Sequence, residues 1–350
     1  MKVAVVDLGT NSVRLLLAHV EAGVVHDVAR ETTVTRLGAG VDRRRRLDAA
    51  AAARTRACVE RYAEMIAAFA PDAGLLVATS VLRDAADGPA FLDELSGLAG
   101  VPARVLSGEE EARLSFAGAV AGTTSWESAG AATRPGRAQD VAARASERPA
   151  IVVIDIGGGS MELAVGEAGQ GAPQTAAALP SVAALPTAAT TLAVPSFVCS
   201  LDVGVVRLTE RFFAADPPIQ AQWAAARDFV HATLAAAVPV AVRGPVGRGV
   251  GLAGTFTTLV AHKLALRTYD RAVVHGHELT LADLEAAEAL FRGMTSAARG
   301  RLPGIQKGRE DVILAGVLLA REVCRLFALD AVRVSESDLL DGAALSLARS

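Results

Sequence analysis

Lysine, cysteine and long apolar runs are scarce in this chain. Of its 35 basic residues only Lys2, Lys263 and Lys307 are lysines. An arginine excess beside so much alanine and glycine reads as coding bias, although guanidinium groups do suit phosphate. The cysteines Cys58, Cys199 and Cys324 are odd in number and widely spaced, which argues against a disulfide framework or a metal motif and leaves core or reduced surface thiols. No apolar run approaches the length of a membrane span; the alanine-rich stretch 234–242 is short and is followed by Arg243. The opening MKVAVVDLG is too short for a signal core and ends beside an acid. A net charge of −3 gives no basic field to attract nucleic acid. The expectation is a cytoplasmic protein with no nucleic-acid or membrane partner.

What is present is a turn that occurs twice. Residues 3–12 read VAVVDLGTNS and residues 151–160 read IVVIDIGGGS. Each is a β-branched apolar run, an Asp, a turn of small residues and a second apolar run, which predicts strand, tight turn, strand. Such turns let backbone amides converge on an anion, and hydroxyls add donors. Asp7 and Asp155, at the strand ends, suit a hard cation such as Mg²⁺. Two copies predict two duplicated half-structures facing a shared phosphate.

With 350 residues and 51% hydrophobic content, the chain is long enough for two domains. The first half predicts α/β structure: strands at 13–19, 74–79 and 101–106, helices at 48–69 and 88–98, and a helix after Ser107. Residues 80–84 are expected as an exit turn and 36–40 as a loop. The second half predicts a hairpin at 151–165, helices at 208–213, 220–240, 279–294 and 309–327, and strands at 248–252 and 331–334. Residues 253–258 (AGTFTT) form a third small-residue turn ahead of a helix at 259–265. The expected domains are 1–121, with a C-terminal helix 338–350 packing back on it, and 150–337. Residues 122–149 are rich in Ala, Ser, Thr and Arg and weakly periodic, residues 168–195 are broken by prolines, and both are expected as insertions.

Three further groups carry chemistry. Ser107-Gly108-Glu109-Glu110-Glu111 starts a helix; dipole-matching surface charge is the ordinary reading, and a carboxylate able to orient water is the functional one. Arg83 follows a buried strand, where it could neutralise transferring phosphoryl charge. Glu162 lies on the returning strand after Asp155, where a hairpin can bring both to one cation, although by period alone it equally fits an outward-facing strand position. The run Asp42–Arg46 (DRRRR) reads as a solvated turn, with polyanion attraction ranked second. His275-Gly276-His277 lacks companion ligands and reads as a turn.

Together these residues resemble the Ppx/GppA phosphatase family, through VAVVDLGTNSVRLLLA, ATSVLRDA, LSGEEEARLSFAG, IVVIDIGGGSMELAVG, SLDVGVVRLTE, GLAGTFTTLVA, LPGIQKGREDVILAG and VSESDLLDGA. The resemblance implies two ribonuclease-H-like domains of the acetate and sugar kinase/Hsc70/actin superfamily flanking a cleft. It implies Glu111 as catalytic base, Arg83 as substrate-facing arginine, and Asp155 and Glu162 as divalent-metal positions, with Mg²⁺ as the expected cofactor. Thr10, Asn11, Ser12, Gly157, Gly158, Gly159 and Ser160 match the phosphate loops. Gly251, Gly254 and Thr255 fall at a nucleotide-like turn. A homodimer is the expected assembly. Met161 stands where the family usually has Thr, and the chain resembles the family's short form without appended helical domains, which implies a weaker grip on long chains and shorter polyphosphates as substrates.

The activity implied is Mg²⁺-dependent release of phosphate from inorganic polyphosphate, with guanosine pentaphosphate as second substrate. The alternatives are a sensor that binds guanosine tetraphosphate or pentaphosphate with little turnover, and a small-molecule kinase of the same superfamily. The intact Glu111, Asp155 and Glu162 argue against the first. A base without an evident sugar pocket argues against the second.

Overall fold

The computed structural model describes residues 1–123, 150–167 and 192–349. The segments expected as insertions lie outside the described residues, apart from their ends. The described chain gathers into two compact units, one of residues 1–121, 192–194 and 337–349, the other of 122–123, 150–167 and 195–336.

The first unit is built on a sheet of order β3-β2-β1-β4-β5. Its strands are β1 (Lys2–Leu8), β2 (Ser12–Glu21), β3 (Val24–Val34), β4 (Ala73–Ala78) and β5 (Ala103–Val105). β1–β2 and β2–β3 are antiparallel, β1–β4 and β4–β5 parallel. The period-two alternation of β1 fills two layers. Ala4, Val6 and Leu8 join Val59, Tyr62 and Leu95 of the helices Ala49–Phe69 and Gly88–Ala99. Val3 and Val5 join Leu340, Ala343 and Ala344 of the C-terminal helix Leu339–Leu347. A strand buried on both faces reads as a continuous apolar run, as this one does.

The second unit repeats the order and adds one edge strand: β10-β11-β9-β6-β7-β8. Here β6 is Ala150–Ile156, β7 Met161–Glu167, β8 Phe197–Leu201, β9 Val246–Leu252, β10 Glu278–Thr280 and β11 Ala331–Val334. β6 pairs antiparallel with β7 and parallel with β9, as β1 pairs with β2 and β4. These are the two ribonuclease-H-like units that the resemblance implies. The helix Ile313–Leu326 packs against β6, and its residues 313–324 are all buried. Its two charged residues there are paired, Arg321 with both Glu288 and Glu322.

Several elements differ from expectation. β3 and β8 were not among the expected strands, although β8 (FVCSL) places Phe197, Cys199 and Leu201 against the core. β3 exposes much of its length and is held by its ladder to β2, so alternation cannot announce it. Residues 80–84 form a short helix. The AGTFTT segment is the first turn of the helix Ala253–Lys263, entered through Ala253 in the left-handed region (φ 63°). The helix expected at 309–327 begins at Ile313, and the one expected at 279–294 spans Leu281–Arg292 after β10. His275-Gly276-His277 is a turn, with the Gly276 amide donating to the Val334 carbonyl at 2.7 Å. Cys58, Cys199 and Cys324 are free thiols. Among the described residues no helix is long and apolar enough to cross a membrane.

Candidate active site

Both hairpin turns close with the same backbone bond. The Gly9 amide donates to the Ser12 carbonyl and the Gly157 amide to the Ser160 carbonyl, each at 3.0 Å. In both, neighbouring structure captures the turn's carbonyls. In the first unit Thr10 O accepts from the Gly38 amide at 2.8 Å. Asn11 O accepts from Thr35 and Arg36 at 3.1 and 2.9 Å. In the second, Gly157 O accepts from Val205 at 3.0 Å and Gly158 O from Val206 at 2.8 Å, at the start of the helix Val205–Phe212. A trans peptide points its C=O and N–H in opposite directions. Capturing these carbonyls therefore turns the amides of Asn11 and Ser12, and of Gly158 and Gly159, away from the brace and together, as an anion-binding nest requires.

Side chains add to the first turn. Thr10 Oγ1 lies 3.1 Å from Ser80 Oγ. The Asn11 side chain is buried and its Nδ2 has no hydrogen-bond partner. A buried amide donor without an acceptor is costly, and an anionic ligand at the turn would supply one.

The positions behind the two turns carry opposite chemistry. Asp7 faces Arg14 directly across β1–β2 and is ion-paired with it at 2.8 Å. Arg14 also holds Asp338, the cap of the C-terminal helix, while Arg30 pairs with Asp341 at 2.9 Å and with Asp27. Burial, the larger effect, raises the Asp7 carboxyl above its ordinary value despite Arg14. For Asp338 burial also acts upward, but Arg14 and Arg30 outweigh it and hold the carboxyl low. This network docks the C-terminal helix onto the first unit.

In the second unit, Asp155 faces Glu162 at the matching register. The two are 6% and 1% exposed. Directly opposed residues of an antiparallel pair project to the same side, and like charges there repel. Ser200, the register partner of Glu162 on β8, donates from Oγ to Glu162 Oε1 at 2.7 Å. Two carboxylates and a hydroxyl form an oxygen-only donor set, which fits Mg²⁺; that ion is commonly held by one or two carboxylates together with substrate phosphates. Among the described residues no three His, Cys, Asp or Glu side chains gather at metal distance. Asp7, whose Oδ2 accepts from Arg14 Nε at 2.8 Å, already has a cationic partner. Cys199, beside Ser200, is pushed up to about 12 by burial and by the Glu162 charge, so it remains a thiol.

The three consecutive glutamates separate by environment. Ser107 and Glu110 form a reciprocal capping box: Ser107 N–H donates to Glu110 Oε2 at 2.8 Å and Glu110 N–H to Ser107 Oγ at 3.2 Å. Arg104 adds a bond to Glu110 at 2.7 Å. Burial raises the Glu110 carboxyl, but these bonds outweigh it and hold it below its ordinary value. Glu109 is 70% exposed and faces Arg113 at 3.9 Å. Glu111 is buried, with Arg83 Nη1 at 3.4 Å from its Oε2. The same Nη1 donates to the Leu106 carbonyl at 2.7 Å, which fixes Arg83 beside that carboxylate.

Gly251 and Gly254 have packing reasons of their own. A Cβ on Gly251 would meet the Phe256 ring at 2.5 Å, and one on Gly254 the Arg309 guanidinium at 1.8 Å. Thr255 is buried, with Oγ1 3.4 Å from the Ile156 carbonyl. Met161 is fully buried in the apolar core of the second unit.

Two residues escaped the sequence reading. Ser200 supports Glu162. Gly204 lets the helix start sit on the second hairpin turn, since a Cβ there would lie 2.3 Å from the Gly158 carbonyl. Both lie in SLDVGVVRLTE; the signal available was a small residue just before a helix, at a place where close approach is needed.

The sequence profile of the Ppx/GppA phosphatase family matches residues 16–130 and 137–350. The chain is 38% identical over 361 aligned positions to exopolyphosphatase 2 of Mycobacterium tuberculosis, covering 99% of this chain and 98% of that protein. Its fold is similar to the crystal structure of an exopolyphosphatase-like protein, with TM-score 0.81, 33% identity and coverage of 100% and 99%. It is also similar to the Ppx/GppA protein of Aquifex aeolicus, with TM-score 0.73, 26% identity and coverage of 99% and 97%. The chain belongs to the Ppx/GppA phosphatase family.

Proposed function

We propose that the protein is an exopolyphosphatase that releases orthophosphate from the end of inorganic polyphosphate and depends on Mg²⁺. The observation that carries this reading is the second hairpin. Amides of Gly158 and Gly159, turned together by the helix start, stand on the same turn as a buried pair of facing carboxylates. The first group suits phosphate oxygens and the second a divalent cation, the two components that phosphoanhydride hydrolysis combines. The name of the 38% identical relative supports the same substrate.

In this reading Gly157–Ser160 and Thr10–Ser12 bind phosphoryl oxygens through backbone amides and hydroxyls. Asp155 and Glu162 hold Mg²⁺, and Ser200 fixes the orientation of Glu162. When bound, the cation neutralises phosphate charge and orients the anhydride. Glu111 takes a proton from the attacking water. The Arg83 contact keeps it aimed. Arg83 offsets charge that builds on the transferred phosphoryl group. Asp7 is neutralised by Arg14 and acts through the turn it anchors.

The test is phosphate release from polyphosphate, guanosine pentaphosphate and ATP in parallel, with Mg²⁺ or with chelator. Release from polyphosphate that stops on chelation supports the reading. Release from guanosine pentaphosphate alone would replace the substrate, and tight binding without release would favour a sensor.

A further inference from the structure

The run Arg43–Arg46 has no part in the site above, yet it is tethered to the first phosphate turn. Gly38, whose amide holds the Thr10 carbonyl, accepts in turn from the Val41 amide at 3.1 Å, at the start of the short helix Val41–Arg44. On its other side the Arg45 carbonyl accepts from Ala86 at 2.9 Å. Ala86 lies just beyond the segment Ser80–Asp84, whose Ser80 touches Thr10 and whose Arg83 lies beside Glu111. The run is thus bonded both to the turn's brace and to the Arg83 segment.

The four arginines are not equivalent. Arg44 folds back on its own loop, with Nη2 donating to the Ala39 carbonyl at 2.6 Å. Arg43, Arg45 and Arg46 are exposed, Arg45 and Arg46 at 64% and 71%. Arg45 is held in the left-handed region at φ 53°, an uncommon conformation for a residue with a Cβ. Its nearest carboxylate is Asp84 at 3.9 Å, and that of Arg46 is Asp87 at 3.8 Å. Asp87 Oδ1 is meanwhile bound by the Leu47 amide at 3.0 Å. Exposed pairs at such distances are worth little and yield readily to a ligand carrying a charge on every phosphate.

We propose that Arg43, Arg45 and Arg46 bind the distal phosphates of a polyphosphate chain, so that affinity rises once the chain is long enough to reach them; this rests on the exopolyphosphatase reading. Only the terminal phosphate reacts. The remainder of a long chain must run away from the turn as an unbranched polyanion, and guanidinium groups bind phosphate through paired N–H donors. A substrate too short to reach the run gains nothing from it.

The test compares the wild type with the triple variant Arg43→Gln/Arg45→Gln/Arg46→Gln, measuring phosphate release from tripolyphosphate and from long-chain polyphosphate. The expected result is a KM for the long chain raised by about ten-fold, with a shallower dependence of that KM on salt and an unchanged KM for tripolyphosphate. An unchanged long-chain KM would overturn the assignment, as would equal weakening for both substrates. Displacement of long-chain polyphosphate from the wild type by DNA at equal charge would also overturn it, because the run would then be a general polyanion surface. If the triple variant does not fold, Arg46→Gln alone should give a smaller shift in the same direction. A wild type that releases phosphate from neither substrate would instead refute the exopolyphosphatase reading itself.

Discussion

Asp155 and Glu162 face each other across the β6–β7 hairpin at the register where, in the first unit, Asp7 faces Arg14. The duplicated hairpin thus exists in two electrostatic versions. One is neutral within itself through an ion pair at 2.8 Å. The other places two buried acids opposite one another, which under the proposed function are the cation-binding pair.

The metal prediction follows from this contrast. Glu162→Gln should raise the Mg²⁺ concentration needed for half-maximal activity by about 10–100-fold, and Ser200→Ala by about ten-fold. Glu162→Arg should give a second hairpin like the first, folded but without detectable Mg²⁺ binding by calorimetry. Mg²⁺ titrations of all three that superimpose on the wild type would remove the metal from this pair.

Gly204 is expected to matter without contacting substrate. Gly204→Ala places a methyl 2.3 Å from the Gly158 carbonyl, so either the helix start or the turn must move. Misplacement of about 1 Å costs on the order of 10²-fold in rate. Turnover should therefore fall far more than the melting temperature does, and full activity in this variant would show that the brace is not needed.

The glutamates of the 108–123 helix should divide into three behaviours. Glu111→Gln should reduce kcat by roughly 10²–10⁴ with substrate binding retained. Glu110→Gln should retain kcat and lose about 1 kcal/mol of stability through the weakened capping box and the Arg104 contact. Glu109→Gln should do neither. Steady-state kinetics with denaturation curves on the three variants checks this, and equal kinetic damage from Glu109→Gln and Glu111→Gln would leave the base unassigned.

A pH dependence of stability is expected from Asp341. Burial, opposed by Arg30, pushes its carboxyl up to about 6 from an ordinary 3.8. A raised carboxyl contributes stability that is fully present below the unfolded value and is lost as pH rises through the folded one. Asp341→Asn has no such change. The wild-type advantage over this variant should therefore shrink between about pH 4 and pH 6, by up to roughly 3 kcal/mol. Chemical denaturation of both proteins across that range measures it; a constant difference would mean that Asp341 does not titrate there.

The site was legible in the sequence where short-range chemistry determines it. Apolar runs ending in Asp and a small-residue turn specify both hairpins, because burial on two faces and tight turning restrict residue type locally. β3 was not legible. An edge strand such as β3 is held by its ladder, so its exposed positions, Glu31 and Thr32 among them, are free to be polar. Glu111 could not be told from its neighbours by residue type. The Ser107-x-x-Glu110 pattern identifies the capping member, but the burial of Glu111 beside Arg83 is a tertiary contact 28 residues apart in the chain. Ser200 was hidden for the same reason, since its contact with Glu162 spans 38 residues and depends on the β7–β8 register.

The most direct measurement is orthophosphate release from long-chain polyphosphate by wild type and Glu111→Gln, side by side, with Mg²⁺ and after chelation. The account predicts steady release by the wild type that chelation abolishes, and release by Glu111→Gln slower by roughly 10²–10⁴ although the variant still binds the polymer. No release by the wild type, or release by Glu111→Gln at the wild-type rate, would contradict it.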